Sequence, residues 1–255
     1  MTGNDMTTLE AIWHSFGIPD KLAVLWFFIA WIGIGWRTEH PPKATPSVSV
    51  LMKAVRREWM RQFITRDTRI FDGNILANLR ESTAFFASAS MIAIGSGVAL
   101  LGNSDRIAGI ARQFDLENIP ILQWEVKILL PLLLIVDSFL KFVWSNRLFG
   151  YCAIVMGSVP NDPTDPRTVP RAMQAADLNI RAARSYNSGL RGIYFAIGAL
   201  AWLGGPLALA FATTVVLIVT WRREFASGSR RVLLDEAARE ARIAPRDPQN
   251  DQPRD

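Results

Sequence analysis

Residues 192–221 read GIYFAIGALAWLGGPLALAFATTVVLIVTW, thirty positions without a charged side chain. An unbroken helix of that length reaches about 45 Å at 1.5 Å per residue, against a bilayer hydrocarbon core of about 30 Å. Gly204-Gly205-Pro206 stands at the centre of the run. A proline there frees the carbonyl four residues back. The expectation is one kinked membrane helix over about 193–221, with a re-entrant pair of half-helices as the alternative.

Three further apolar stretches lie upstream. Leu22–Trp36 (LAVLWFFIAWIGIGW) is preceded by Pro19-Asp20, a helix start, and bounded by Lys21 and Arg37. No small-x-small cleavage site follows Trp36, so it reads as an uncleaved anchor. Thr83–Gly102 holds twenty residues without a charge, and a third stretch from Ile128 is interrupted by Asp137, Lys141 and Arg147. The fold class that follows is all-α: an integral membrane helix bundle with four transmembrane segments at about 22–36, 83–102, 128–148 and 193–221. A single transmembrane domain is expected over 1–231, with a polar tail at 232–255 whose last dozen residues are disordered.

Composition agrees. Of 255 residues, 50% are hydrophobic and 20% charged, with charge clustered between the apolar stretches and nine tryptophans mostly near their ends. Mean hydropathy is positive at +0.16. That pattern excludes a soluble globular enzyme, a disordered chain and a disulfide scaffold. The lone Cys152 cannot form an internal disulfide. His14 and His40 are 26 residues apart with no ligand cluster beside them, so no metal site and no cofactor are expected. A pI of 9.8 reflects basic residues flanking membrane helices rather than nucleic-acid binding.

Orientation follows from Lys and Arg counts. Segment 37–82 carries nine and segment 160–191 carries five, so both are expected in the cytoplasm of a plasma-membrane protein with its N-terminus outside. One feature conflicts with four spans: Arg222, Arg223, Arg230 and Arg231 follow the last one, on the side expected to be outside.

Within the first basic segment, Val48, Leu51, Met52, Val55, Trp59 and Phe63 recur at helical spacing. This predicts a basic amphipathic helix over about 48–64 lying in the membrane surface. Lys53, Arg56, Arg57 and Arg61 are the candidates for contact with anionic lipid headgroups. Packing against the bundle is the plainer reading. A helix from about Asp72 should run on into the second span. Asn161-Asp162-Pro163-Thr164-Asp165-Pro166 should turn, and a helix over about Val169–Tyr186 should lead to the last span. Ala89, Ala93 and Gly97, and again Gly204, Ala208 and Ala212, form small-residue faces suited to close helix packing.

The third span offers the other candidate chemistry. Counted from Ile128, Asp137 lies about 13.5 Å deep, close to the midplane. Lys141 and Ser145 follow at successive turns on the same face, and Arg147 lies near the inner headgroups. Asp137, Lys141, Ser145 and Arg147 either line a polar path for an ion, a proton or a small solute, or the charged pair neutralises itself and fixes helix register. Four spans are few for a pore, so conduction would require a homo-oligomer.

No enzyme fingerprint emerges. Gly95-Ser96-Gly97 lies inside a span and is better explained by helix packing. Asp72 and Glu81 fall on different helix faces and are expected to pair with Arg69 and Arg80 or to meet water.

Several blocks occur together and in order. Arg57-Glu58-Trp59-Met60, Arg69-Ile70-Phe71-Asp72 and Asn78-Leu79 lead into Ala84-Phe85-Phe86-Ala87-Ser88. Lys141-Phe142-Val143-Trp144-Ser145-Asn146-Arg147 is followed by Tyr151-Cys152. Then come Asn179, Ala182-Ala183-Arg184, Gly189-Leu190-Arg191, Tyr194-Phe195-Ala196, Gly205-Pro206 and Arg222-Arg223-Glu224-Phe225. Over roughly Leu22–Arg231 the chain resembles the domain-of-unknown-function family numbered 599, membrane proteins of bacteria and plants. The resemblance implies a multi-spanning protein and brings no established activity. Two functions are therefore carried forward. One is oligomeric permeation through the charged third helix; the other is a non-transporting scaffold that binds lipid or a partner through its basic loops.

Overall fold

The computed structural model describes residues 15–103, 109 and 120–243. His14, the expected disordered stretch Ala244–Asp255 and the charges of the loop 104–119 lie outside these. Among the described residues the chain forms α1 (Ile18–Glu39), α2 (Val48–Ile64), α3 (Ile70–Leu101), α4 (Ile121–Gly157), α5 (Thr168–Ala199), a 3-10 segment (Leu200–Gly204), α6 (Pro206–Phe225) and α7 (Gly228–Ile243). No strand occurs among them.

The segment 193–221 is not one helix. α5 ends at Ala199, and Gly205 adopts φ 106°, a region that a residue without Cβ enters freely. Pro206 then opens α6 at a position where its missing N–H has no intrahelical partner to lose. The chain turns back on itself: a Cβ on Gly198 would meet Val216 Cγ2 at 3.2 Å, and Arg223 donates to Tyr194 Oη at 2.8 Å. In a single helix residues 194 and 223 would stand about 43 Å apart. The kinked helix is thus corrected to an antiparallel hairpin, and the basic residues after α6 come back to the end where the other basic segments lie.

α1 provides a ruler. Asp20 accepts a hydrogen bond from Trp202 Nε1 at 2.8 Å, and Glu39 pairs with Arg184 and, at 3.3 Å, with Arg191. About 28 Å of helix separates Asp20 from Glu39, close to one hydrocarbon thickness. The helix exceeds the expected 22–36 because Pro19 and Asp20 sit in its first turn and Arg37 in its last. Ala23, Phe27, Ala30, Ile34 and Thr38, spaced four, three, four and four, are buried, while Leu22, Leu25, Ile29, Ile32 and Trp36 stay exposed. A helix apolar on both its packed and its open faces has lipid as its surroundings.

Three stretches are long and apolar enough to cross a membrane: Ile18–Glu39, Ile70–Leu101 and Pro206–Glu236, the last being α6 with the start of α7. The expected third span lies in α4, which is not among these three, so a count of four does not follow. α4 has 37 residues, about 55 Å, and extends well past one hydrocarbon thickness.

Two cores are stacked along the bundle. Phe27, Ile34, Leu134, Phe195, Ala199, Trp202 and Leu209 fill the one beside α1. The other, beyond the apolar length, joins Met60, Phe63, Leu76, Phe149, Cys152, Met156 and Ala175. α2 has the expected bounds, but it packs along the first half of α5 through Met60, Phe63 and Ile64 and leaves Val55 exposed. The helix thus packs against the bundle, as the plainer reading of it expects.

Asp72 also differs from expectation. It is fully buried and accepts from Trp59 Nε1 at 2.6 Å and from Arg66. Arg69 instead donates to the Val159 and Pro160 carbonyls at 2.7 and 2.9 Å, with its guanidinium over Phe63. Sequence adjacency suggested Arg69, but the α2–α3 turn brings Arg66 and Trp59 to the carboxylate. Glu81 is exposed, as expected.

Candidate functional site

The four polar residues of α4 do not share a chamber. Lys141 Nζ donates to Asp137 at 2.6 Å and lies 5.8 Å from the Trp31 ring centroid. Ser145 is buried and donates across to the Ala182 carbonyl of α5 at 2.7 Å. Arg147 is exposed and bonds Tyr151 Oη. Trp124 packs with Leu203, near the level of Trp202 and Asp20. Asp137, thirteen residues on, sits about 20 Å further along α4.

The neighbours of these residues hold helices together. Phe142 stacks on Phe86 of α3, with centroids 5.4 Å apart, and meets Tyr186 of α5 at 5.7 Å. Asn146 donates to the Arg80 carbonyl and Thr83 Oγ1 of α3, both at 2.9 Å.

The basic set of α2 divides in two. Arg57 pairs with Asp177 at 3.2 Å and Arg61 with Glu58 at 3.0 Å, both in the open. Lys53 and Arg56 turn instead into a cavity of about 330 Å³, where the ends of α1, α2, α6 and α7 meet the middle of α5.

This cavity is the most developed polar feature among the described residues. α1 contributes Thr38 and Glu39, α2 contributes Lys53 and Arg56, α5 contributes Arg184, Asn187 and Arg191, and the end of α6 contributes Arg223 and Glu224. Ser227 and Ser229, at the start of α7, complete the wall. Each charged group is placed by a local device. Ser47 caps α2 by accepting from the Val50 N–H at 3.2 Å, and its own hydroxyl donates to the Thr38 carbonyl at 2.7 Å, joining α1 to α2. Glu224 accepts from the Ser49 N–H at 3.2 Å and the Ser49 hydroxyl at 3.0 Å, a carboxylate at a helix N-terminus where the dipole favours it. Arg230 donates to the Pro46 carbonyl at 2.9 Å and ties α7 to the α1–α2 connection.

Two features set the electrostatics. Arg56 is held by the Asn179 side-chain oxygen, and burial pulls its guanidinium below the ordinary arginine range, partly offset by Cys152. Burial pushes the Cys152 thiol up to about 11, so it remains a neutral, unreactive thiol. Thr38 is fully buried, lines the cavity, and its hydroxyl has no hydrogen-bond partner. Such a group costs stability, and at this depth it is closed off from the cavity.

Sequence reading found Lys53 and Arg56 and missed Thr38, Glu39, Arg184, Arg191, Arg223 and Glu224 as a set. They come from the ends of α1 and α6 and the middle of α5, far apart in the chain. The signal that could have found them is the basic run after α6, on the wrong side for four spans. Among the described residues no three His, Cys, Asp or Glu side chains gather as metal ligands would.

A family model described as protein of unknown function, DUF599, matches residues 22–229. The chain belongs to this family. Comparison with curated proteins and with solved structures gives no significant match. The matched range of this DUF599 protein begins inside α1 and ends at Ser229, so every residue lining the cavity falls within it.

Proposed function

We propose that this DUF599 protein binds an anionic, phosphate-bearing group in the basic cavity, at the cytoplasmic face of the plasma membrane. The observation that carries the reading is the cavity wall itself. Five cations face two carboxylates that are already engaged. Arginine forks and helix N-termini are the usual donors to phosphate oxygens. A binding role also suits α4, where Asp137 and Lys141 are satisfied by each other and Ser145 by α5.

The test is a titration of the purified protein in phosphatidylcholine nanodiscs with inorganic phosphate. Lys53→Gln and Arg184→Gln should each weaken binding about tenfold, the loss of one charge-assisted contact of about 1.4 kcal/mol. No binding by wild type, together with ion flux through liposomes that Asp137→Asn alters, would return the α4 path to first place.

The accompanying topology has five crossings: α1, α3, the middle of α4, the second half of α5, and α6. It places the segments 37–82 and 160–191 and the start of α7 on one side, which removes the charge conflict of a four-span chain. In a Cys152→Ala background, cysteines at Arg231 and Asn103 should react with an impermeant maleimide from opposite faces of sealed vesicles. Labelling of both from the same face would contradict five crossings.

A further inference from the structure

We infer that the cavity is built for a phosphomonoester, with close to two negative charges, in preference to a phosphodiester with one. This rests on reading the cavity as an anion site and adds which anion it takes. The argument begins with charge. Glu39 is shared by Arg184 and Arg191, and Glu224 accepts from neutral Ser49 and keeps its charge beside Arg191, so five cations against two carboxylates leave the wall a formal excess of three positive charges. The remaining partners are neutral: Arg56 has the Asn179 amide oxygen, and Arg223 has the Tyr194 phenol at 2.8 Å. Lys53 has no partner among the described residues. A diester would leave most of this excess in place. A monoester, at about −1.5 to −2 near neutral pH, removes most of it.

Donor geometry points the same way. A monoester presents three terminal oxygens and a diester two. The wall offers more charged donors than two oxygens can use. At about 330 Å³ the cavity is at the small end of ligand sites, the size of a phosphorylated headgroup or polyol. Val48, Met52, Ile180 and Ala183 give the carbon part of such a ligand an apolar wall. A phosphorylated lipid headgroup and a free phosphorylated metabolite share this chemistry.

The experiment uses the full chain in phosphatidylcholine nanodiscs. One arm titrates glycerol 3-phosphate against glycerophosphoglycerol. The other compares retention of phosphatidic acid and of phosphatidylglycerol by native mass spectrometry. The expected result is a monoester preference of at least about tenfold in one or both arms. Preference in the lipid arm alone identifies a lipid headgroup, and preference in the soluble arm identifies a free ligand. Lys53→Gln, which has no partner to lose, should narrow the preference without lowering the Tm. Equal affinity for monoester and diester, still dependent on Lys53, overturns this inference and leaves the anion site standing. No binding of any probe in either arm overturns both.

Discussion

Asp72→Ala should lower the stability of the folded protein by about 3 kcal/mol, because it removes the one acceptor on which α2, the following turn and α3 converge. The carboxylate is fully buried and takes the Trp59 indole N–H at 2.6 Å and the Arg66 guanidinium. Loss of the side chain leaves the indole N–H without its acceptor. Arg66 keeps 37% of its side-chain surface exposed and can return to water, so the full penalty of a stranded buried cation does not apply. Asp72 also lies in the first turn of α3, where a negative charge meets the positive end of the helix. Asp72→Asn keeps one acceptor oxygen and loses the charge, so its expected cost is about half. Thermal unfolding in mild detergent should order the proteins wild type, Asn, Ala. An alanine variant as stable as wild type would show that this contact does not hold α2 in place.

Gly189→Val should cost about 3 kcal/mol, although valine is the better helix former of the two. The cause is the approach of α5 to α4. A Cβ at Gly189 would stand 2.8 Å from Phe142 Cε1 and 3.0 Å from Cζ. The ring cannot swing aside freely, since Phe86 stacks on it and Tyr186 closes its edge. Phe142→Leu vacates that space, so the double variant should recover a good part of the loss. This non-additive outcome is readable in a double-mutant cycle. Additive losses would mean that α5 already stands far enough from α4 to admit the side chain.

Much of the secondary structure was legible because its causes are local. The bounds of α2, the continuity of α3 from Ile70 and the helix from Thr168 follow from apolar spacing, from the Ser47 cap of α2 and from the absence of proline inside α3; Pro170 sits in the first turn of α5, where its missing N–H costs no helical bond. The turn over 161–166 follows from Asp162 and Asp165, which accept from the Thr164 and Arg167 N–H groups. Pairings between elements were less legible. Asp72 has Arg69 three residues before it and binds Arg66 and Trp59, because the turn between α2 and α3, not separation along the chain, sets who can reach it. The start of α4 was not legible either: the apolar run begins at Ile128 and the helix at Ile121.

The cavity shows where local information ends. Membrane character, helical class, family membership and the basic side of the bundle all follow from the chain as written, since hydropathy and charge act through segments of about twenty residues. Gly204-Gly205-Pro206 permits either a kink or a reversal, and nothing within those three residues chooses between them. Tertiary packing chooses: α6 lies along α1, where Trp26 donates to Thr214 at 3.2 Å and Arg37 sits over Trp221 and Phe225. That choice brings Arg223 and Glu224 beside Glu39 and Arg191, and the basic cavity exists only because of it.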